Sequence, residues 1–346
     1  MIKVLIVDDS AFMRNTLTGL ICSDPEIEVV GIARDGIEAI EKVVSLKPDI
    51  VTMDVEMPRM DGIEALQRIM SQHPVPVLMV SSLTTDGAEV TLDALDLGAV
   101  DFIPKNLDDL SVNIVKIKEA LVNKIKSIAK RRIVHSPAIK TDEHLKMQKP
   151  PEYKSHRKTG IIVIGSSTGG PKALQNIISK LPKEFPVPIL IAQHMPPNFT
   201  GPFAERLSQI SVVSVKEAED GEPLRKGTVY IAPGRGHMGI IRKKITETLI
   251  SISSNSGEYL YKPSVDALML SVLEVYSGQV LGVILTGIGN DGERGMREIK
   301  NKGGRTIVQD EQTCVVYGMP KSVIQAGLAD KVVPLDEIAG EIINAV

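Results

Sequence analysis

Short apolar runs alternate with amphipathic stretches of helical period over roughly the first 125 residues of the chain. The apolar runs predict strands, and the amphipathic stretches between them predict helices. The predicted strands are Lys3–Asp8, Val29–Ala33, Ile50–Asp54, Val77–Ser81 and Asp101–Pro104. The predicted helices lie around Phe12–Ile21, Ile37–Leu46, Gly62–Ser71, Gly87–Leu97 and Leu110–Ile128. Successive strand–helix units are typical of a parallel, doubly wound sheet, which predicts a first α/β domain over residues 1–128.

The composition changes over residues 129–158. From residue 130 onward this segment holds nine Lys or Arg against three Asp or Glu, it contains Lys149-Pro150-Pro151, and it lacks a sustained hydrophobic period. Such a basic, proline-containing stretch is typical of a solvated linker. We therefore expect a linker between two domains rather than an arm that binds nucleic acid.

The alternation of strand and helix patterns returns after residue 159. The predicted strands are Ile161–Gly165, Pro188–Gln193, Thr228–Ala232, Val280–Thr286, Thr306–Gln309 and Lys331–Val333. The segment His237–Ser254 alternates apolar and polar residues and predicts a hairpin that decorates the sheet. The expected fold is therefore two doubly wound, mainly parallel α/β domains, with the second over residues 159–346.

Composition and charge exclude several classes of protein. The chain of 346 residues is 43% hydrophobic and 24% charged, which suits two soluble domains with cores of their own. The formal net charge of −3 argues against a nucleic-acid partner. With only Cys22 and Cys314, a disulfide framework is ruled out. Met1 leads straight into a strand pattern, and runs such as Val280–Leu285 are too short to span a bilayer, so we expect a cytoplasmic protein without membrane insertion.

Polar residues end three of the strands in the first domain, and a lysine follows another. Asp8 and Asp9 end the first strand, Asp54 the third and Ser81 the fourth, and Lys105 follows the fifth. Because the carboxyl ends of parallel strands meet at one edge, these side chains are expected to converge. Crowded carboxylates need a hard cation such as Mg²⁺, and the set suits phosphoryl transfer to a carboxylate. Asp9 alone could simply cap the next helix, but five residues at matching strand ends favour a pocket.

A glycine-rich loop opens the second domain. The sequence Gly165-Ser166-Ser167-Thr168-Gly169-Gly170-Pro171 lies between a strand and a helix. Glycines allow a tight turn, and the N-terminus of the following helix stabilises negative charge. Such a loop either binds a nucleotide or carries a nucleophile, and it matches neither fingerprint. Taken alone it leaves both functions open.

Two further residues are expected at the same edge of the second sheet. His194 ends one strand, and Asp291 follows another through a short loop. Together with Ser167 they provide a hydroxyl, an imidazole and a carboxylate, which is the set that acyl transfer requires. Each residue also has a simpler explanation: Ser167 and His194 as turn residues, and Asp291 as the cap of a helix over Gly292–Lys300.

Residues 1–125 resemble the response-regulator receiver family. The resemblance rests on Val7-Asp8-Asp9-Ser10, Met53-Asp54-Val55-Glu56-Met57-Pro58, Val80-Ser81-Ser82 and Lys105. It implies a flavodoxin-like fold, phosphorylation of Asp54 by a histidine kinase, and Mg²⁺ held by Asp8, Asp9, Asp54 and the backbone of Glu56. It also implies that Lys105 contacts the phosphoryl group, and that phosphorylation draws Ser81 inward and lets Phe102 turn in. The family usually has proline after this lysine, where this chain has Asn106.

Residues 160–346 resemble the catalytic domain of the chemotaxis protein-glutamate methylesterase family. The matching motifs are Gly165–Gly170, Gln193-His194-Met195-Pro196-Pro197, Ile231-Ala232-Pro233-Gly234 with His237-Met238, Ser264-Val265-Asp266-Ala267-Leu268 and Leu285–Gly292. The resemblance implies a Rossmann-like esterase without a cofactor, with Ser167, His194 and Asp291 as the triad. It places the oxyanion donors near Thr168 and the backbone of Ile288, where the family commonly has methionine. Ser166 stands where many members have alanine, and alignment favours Ser167 as the nucleophile.

The two resemblances together imply a regulated enzyme of bacterial chemotaxis. The implied substrates are glutamate methyl esters on chemoreceptors, and some family members also deamidate receptor glutamines. The implied control is that the unphosphorylated receiver hinders access to the esterase and that phosphorylation relieves this. The main alternative is a response regulator whose second domain only binds a nucleotide or a protein through the Gly165–Gly170 loop.

Overall fold

The computed structural model describes residues 1–81, 84–105, 110–129, 158–244, 247–255 and 259–346. The predicted linker, residues 129–158, lies almost entirely outside this part of the chain, as does Asn106. The chain divides into two compact units, Met1–Arg132 and Ile133–Val346, which are described separately. No helix among the described residues is long and apolar enough to cross a membrane.

The first unit contains the predicted alternation of strands and helices. Its strands are β1 (Ile2–Val7), β2 (Ile27–Ala33), β3 (Ile50–Asp54), β4 (Val77–Ser81) and β5 (Asp101–Pro104). Its helices are α1 (Ala11–Ile21), α2 (Gly36–Leu46), α3 (Gly62–Gln72), α4 (Thr85–Asp96) and α5 (Leu110–Ala129). The strands are parallel and ordered β2-β1-β3-β4-β5. Residues of β3 and β4 are buried throughout, as expected of central strands covered by helices on both faces.

Side chains at the helix starts explain why several helices of the first unit begin where they do. Ser10 accepts a hydrogen bond from the backbone of α1, Asp35 from α2, Asp61 from α3 and Thr84 from α4. Each satisfies a backbone N–H group that has no partner within its helix. The strands therefore lead into helices through short polar turns at the carboxyl edge of the sheet.

The second unit is also α/β. Its strands are β6 (Ile161–Ser166), β7 (Ile189–Gln193), β8 (Ser214–Glu217), β9 (Thr228–Ile231), β10 (His237–Lys244), β11 (Glu247–Ser253), β12 (Val280–Ile284), β13 (Arg305–Gln309) and β14 (Lys331–Val333). Its helices are α6 (Gly170–Ile178), α7 (Pro197–Ile210), α8 (Val265–Tyr276), α9 (Glu293–Asn301), α10 (Met319–Gln325) and α11 (Leu335–Asn344). The main sheet is parallel and ordered β14-β13-β12-β6-β7-β9-β8. Both domains therefore confirm the predicted fold class.

The predicted hairpin is present as the antiparallel pair β10 and β11. It forms a separate sheet and packs on α8, where Ser271 Oγ accepts a hydrogen bond from the backbone of Ile240 at 2.9 Å. Its buried residues Met238 and Ile250 belong to the same core as Leu268 of α8. The hairpin thus supports a helix that, as described below, holds part of the candidate site.

The order of the strands in the second sheet fixes the place of the site. The chain passes from β6 to β7 and β9 on one side, and β12, β13 and β14 lie on the other. The carboxyl ends of β6, β7 and β12 are therefore adjacent at the point where the strand order reverses, which is where open α/β sheets bind ligands. The backbone pairs Ser166 with Gln193 and Gly165 with Ile284 across these strands.

Candidate functional site

The two neighbouring serines at the end of β6 have different environments. Ser166 is fully buried, and its hydroxyl donates a hydrogen bond to Gln193 Oε1 at 2.7 Å. Ser167 is half-buried, and its backbone is held by Thr286 O, which accepts from Ser167 N at 3.0 Å, and by Gln193 Nε2, which donates to Ser167 O at 3.0 Å. The hydroxyl of Ser166 is therefore used within the fold, while Ser167 lies in the turn that borders the site.

The turn after Ser167 requires glycine. A Cβ atom on Gly170 would lie 2.0 Å from Gln193 Oε1, and Gly169 has a φ of +77°. The N–H of Gly170 donates to Ser167 O at 2.8 Å, and α6 begins there with Pro171 in its first turn. Because the positive end of a helix dipole stabilises negative charge, the turn puts Ser167 in a favourable place for an anionic intermediate.

The residues predicted as oxyanion donors lie on the two segments that meet at Ser167. Thr168 follows it in the chain and is buried, and its carbonyl accepts a hydrogen bond from Thr286 Oγ1 at 2.9 Å. A Cβ atom on Gly287 would lie 2.8 Å from the Cβ of Ser167, so the loop that carries Ile288 packs directly against the serine. The roles of Thr168 and Ile288 stay predictions.

His194 and Asp291 are brought together. Nε2 of His194 lies 2.7 Å from Oδ2 of Asp291, and both side chains are nearly buried. The backbone N–H of His194 donates to Ser166 O at 3.0 Å, which puts the histidine beside the serine turn. Among the described residues, Nδ1 of His194 is buried and has no hydrogen-bond partner. When Asp291 binds Nε2–H, Nδ1 carries the free lone pair that a general base needs.

The carboxylate of Asp291 sits at the N-terminus of α8. It accepts hydrogen bonds from Ser264 Oγ at 3.0 Å and from the backbone N–H groups of Val265 at 2.8 Å and Asp266 at 3.0 Å. Although burial opposes ionisation, the hydrogen bond and charge of His194 and these backbone donors hold the pKa of Asp291 below its ordinary value. Asp291 therefore does not cap the helix that follows it, as the simpler explanation required; it caps α8.

Asp266 makes the reciprocal contact. Its Oδ1 accepts from the backbone N–H of Gly292 at 3.0 Å and of Gly295 at 2.7 Å, in the first turn of α9. Burial raises the pKa of Asp266 to about 6, and the negative charge of Asp291 adds to the effect. Asp291, just before α9, thus caps α8, and Asp266, in the first turn of α8, caps α9. We call this pair of contacts the crossed caps.

Two tyrosines beside the site were not predicted from the sequence. The ring of Tyr261 stacks on the imidazole of His194, with centroids 4.2 Å apart and planes at 15°. The ring of Tyr259 lies 5.3 Å from that of His237, at 53°. His237 Nδ1 accepts a hydrogen bond from the backbone of Ser264 at 3.2 Å, and burial lowers its pKa. The available signal was that Tyr259 and Tyr261 are two residues apart in a chain that is only 3% aromatic.

The predicted acidic pocket forms in the first unit. One carboxylate oxygen from each of Asp8, Asp9 and Asp54 lies within 4.8 Å of the others. Lys105 Nζ is 2.7 Å from Asp54 and 3.0 Å from Asp8. Burial raises the pKa of Asp54 to about 6 against the opposing hydrogen bond and charge of Lys105. With Glu56 also lining the cavity, the oxygen-only donor set fits a hard divalent cation such as Mg²⁺.

The predicted switch residues are held in a defined arrangement. Ser81 Oγ lies 2.6 Å from the hydroxyl of Thr91 on α4 and donates to Gly87 O at 3.3 Å. Phe102 is already buried, with 5% of its surface exposed, and Lys124 Nζ is 5.8 Å from its ring centroid. The ring is therefore buried in this structure, and the role of Ser81 and Phe102 as a switch pair stays a prediction.

Two family models match the chain, in the order that the sequence predicts. The model described as "Response regulator receiver domain" matches residues 4–114, and the model described as "CheB methylesterase" matches residues 162–342. Each match covers one of the α/β domains and its candidate site.

Curated relatives match over almost the full length of the chain. A protein-glutamate methylesterase/protein-glutamine glutaminase of Nitratidesulfovibrio vulgaris is 48% identical over 99% of this chain and 99% of its own. One from Pyrococcus horikoshii is 46% identical over 100% of this chain and 94% of its own. Among solved structures, the CheB methylesterase catalytic domain of Thermotoga maritima is 46% identical, with a TM-score of 0.53, and matches 55% of this chain and 100% of that domain.

Proposed function

Because this chain belongs to the CheB methylesterase family and carries a response regulator receiver domain, we propose that it is a cytoplasmic, phosphorylation-regulated methylesterase. Its substrates are glutamate γ-methyl esters on chemoreceptors, and its products are glutamate and methanol. Residues 1–128 form the receiver, 129–158 the linker and 159–346 the esterase. The observation that carries the proposal is the contact of 2.7 Å between His194 and Asp291 beside the turn of Ser167.

Acylation begins with attack of Ser167 Oγ on the γ-ester carbonyl. Nδ1 of His194 takes the hydroxyl proton, and Asp291 holds the ring through Nε2–H and stabilises the imidazolium that forms. The carbonyl oxygen becomes an oxyanion, which the backbone N–H groups near Thr168 and Ile288 stabilise together with the N-terminus of α6. The esterase needs no cofactor, since each step uses a side chain or backbone group of the chain itself.

Collapse of the tetrahedral intermediate releases methanol and leaves an acyl-enzyme on Ser167. The imidazolium of His194 gives its proton to the departing methoxide oxygen. A water molecule then attacks the acyl carbonyl as Nδ1 of His194 removes one of its protons. When the second intermediate collapses, that proton returns to Ser167 Oγ and the glutamate carboxyl group is released.

The same residues support hydrolysis of a receptor glutamine. The curated relatives are named as glutaminases as well as methylesterases, which favours this second activity. In that reaction the imidazolium of His194 protonates the amide nitrogen, which leaves as ammonia in place of methanol, and the acyl-enzyme is the same. Both activities therefore depend on Ser167, His194 and Asp291.

Regulation begins with transfer of a phosphoryl group from a phosphohistidine of a chemotaxis histidine kinase to Asp54. Asp8, Asp9, Asp54 and the backbone of Glu56 would hold Mg²⁺, which when bound neutralises charge on the phosphoryl oxygens. Lys105 contacts the same oxygens. To contact the phosphoryl group, Ser81 gives up its hydrogen bonds with Thr91 and Gly87, which both belong to α4. This change in the contacts of α4 relieves inhibition of the esterase.

The decisive measurement is methanol release from methylated receptor membranes. Ser167→Ala removes the nucleophile, so methanol release is expected to fall by on the order of a thousandfold or more. Ser166→Ala, the matched control, removes a hydroxyl that is bonded to Gln193 and is expected to keep most of the activity. If Ser166→Ala were inactive and Ser167→Ala active, the nucleophile would be assigned wrongly. If the second domain bound nucleotides equally well before and after Ser167→Ala and released no methanol, the binding-module alternative would replace the esterase.

A further inference from the structure

The segment Tyr259-Leu260-Tyr261 lies against both histidines of the second domain. The ring of Tyr261 stacks nearly parallel on His194, and the ring of Tyr259 lies tilted beside His237. Leu260 between them is 81% exposed. The two tyrosines therefore face the interior of the site, and the leucine faces solvent.

Tyr261 makes a second contact with the site through its hydroxyl end. Gly289 has a φ of +85°, and a Cβ atom built there would lie 3.1 Å from Tyr261 Oη. Gly289 follows Ile288, the residue whose backbone is the predicted oxyanion donor. One side chain thus touches both the imidazole that moves protons and the loop that faces the reacting oxygen.

The hydrogen bond to Asp291 does not by itself fix the imidazole of His194. A single contact at Nε2 holds one point of the ring but leaves the ring free to rock about the line to the carboxylate. A flat ring stacked at 4.2 Å sets the plane of the imidazole, and therefore the direction in which Nδ1 points. Small errors in that direction cost large factors in rate.

The charge state of Tyr261 suits this role. Burial raises the pKa of its hydroxyl, and the negative charge of Asp291 adds to the effect, so the side chain is neutral at physiological pH. A neutral aromatic face attracts a cation, so the stack stabilises the imidazolium form of His194 more than the neutral form. The imidazolium is present only after proton transfer begins, and the stabilisation therefore acts on the intermediate.

We propose that Tyr261 is a positioning residue of the esterase, whose ring orients His194 and stabilises its charged form. The inference rests on the proposed function, and it deepens that function by adding a residue to the catalytic arrangement. It assigns the effect to the aromatic ring rather than to the hydroxyl. The effect is expected in kcat, because Tyr261 acts through His194 and not through binding of the substrate.

The test compares Tyr261→Leu with Tyr261→Phe in the full chain, with methanol release as the assay. Loss of the ring is expected to lower kcat about tenfold and to change KM by less than about twofold. The phenylalanine variant keeps the ring and is expected to restore most of kcat. Tyr276→Leu, which removes a half-buried ring at the C-terminal end of α8 beside Gly160, is the matched control and leaves kcat nearly unchanged. NMR signals of the His194 ring protons should move downfield in the leucine variant only, since a stacked ring shields them.

Three outcomes overturn the inference: an unchanged kcat in Tyr261→Leu, an equal loss in the phenylalanine variant, or the same loss in Tyr276→Leu. Tyr261→Met fills similar space without an aromatic face. It replaces the leucine variant if that variant unfolds at a lower denaturant concentration than the wild-type protein. Ser167→Ala is measured alongside. If Ser167→Ala still releases methanol, the proposed function has failed, whereas an inactive Ser167→Ala with a fully active Tyr261→Leu contradicts the role of Tyr261 alone.

Discussion

Asp266 and Asp291 are both largely buried carboxylates, yet the protein treats their charges differently. Asp291 accepts hydrogen bonds from His194 and from two backbone N–H groups of α8, and its pKa lies below the ordinary value. Asp266 has two backbone donors of α9 but also faces the charge of Asp291, and its pKa rises to about 6. Asp291 is therefore ionised throughout the neutral range, while Asp266 titrates just below it.

This difference predicts a pH-dependent stability. The pKa of Asp266 is raised from 3.8 to about 6 on folding, so the folded state binds the proton more tightly. The contribution of this proton to the free energy of unfolding is complete below the pKa of the unfolded state and is lost as the pH rises through about 6. Relative to Asp266→Asn, the wild-type protein should therefore gain on the order of 1 kcal/mol of unfolding free energy between pH 7 and pH 5. Urea unfolding of both proteins at the two pH values measures this gain, and a difference that did not change with pH would contradict it.

Single residues also mark the limit of sequence reasoning in the site. The sequence predicts a serine, a histidine and an aspartate at adjacent strand ends, because parallel strands share an edge. Strand positions alone leave two neighbouring hydroxyls, between which the family resemblance favours Ser167. The hydrogen bond of Ser166 to Gln193 across β6 and β7 supports the same choice. Tyr261 has no sequence signal of this kind, since its stack on His194 depends on the path of a loop.

At the scale of elements, α8 links stability to the site through its N-cap. Ser264 Oγ accepts a hydrogen bond from Ala267 N at 3.2 Å and donates to Asp291 Oδ1 at 3.0 Å. The hairpin β10–β11 packs on the same helix, and His237 at its start accepts from Ser264 N. One serine therefore connects a helix start, the hairpin and the carboxylate that orients the candidate base.

Ser264→Ala is expected to lower both stability and activity. Loss of the N-cap costs about 1 kcal/mol of unfolding free energy, and loss of a donor to Asp291 loosens His194, which should lower kcat several-fold. The control is Ser10→Ala, which removes the N-cap of α1 in the first unit, where Ser10 accepts from Met13 N. It should cost similar stability and leave methanol release without a phosphodonor unchanged. Equal losses of activity in the two variants would mean that Ser264 acts through stability alone.

The elements themselves differ in how well the sequence predicts them. The central strands were predicted because residues buried on both faces form unbroken apolar runs, as in β4, β6 and β12. The edge strand β8 was missed because only one of its four residues, Val215, is apolar and buried, and the others are Ser214, Lys216 and Glu217. Predicted strand Val280–Thr286 is longer than β12, since its last residues leave the sheet for the loop that borders Ser167.

At the scale of the whole molecule, the same rule places both candidate sites. Each unit has a parallel sheet, and each gathers its chemistry at the carboxyl edge, where the first helix turns also offer N–H groups. Asp54 ends β3 in one unit, and Ser167 follows β6 in the other. The acidic pocket and the serine turn are therefore two uses of one architecture, which explains why sequence reasoning could predict their positions in both units.

Control of one unit by the other predicts the behaviour of Asp54→Asn. Asparagine keeps the size of the side chain but cannot accept a phosphoryl group, so a small phosphodonor should no longer stimulate methanol release. The unstimulated rate should stay the same, because no group of the esterase is altered. Asp24→Asn, which changes a surface carboxylate paired with Lys126, is the control and should respond normally to the phosphodonor.

Residues 159–346 alone should be more active than the full chain and insensitive to phosphodonor. If the isolated domain were no more active and the donor had no effect, the proposed inhibition would be wrong.

The crossed caps have a consequence for how the enzyme loses activity. Because Asp291 binds the first turn of α8 and Asp266 the first turn of α9, fraying of either helix start removes hydrogen bonds from this pair. Through Asp291, such a local opening releases the imidazole of His194 while the sheet stays intact. Local openings of this kind need less free energy than global unfolding. The arrangement of the site is therefore less stable than the fold as a whole. As the denaturant concentration rises, the enzyme should lose its activity before its sheet unfolds.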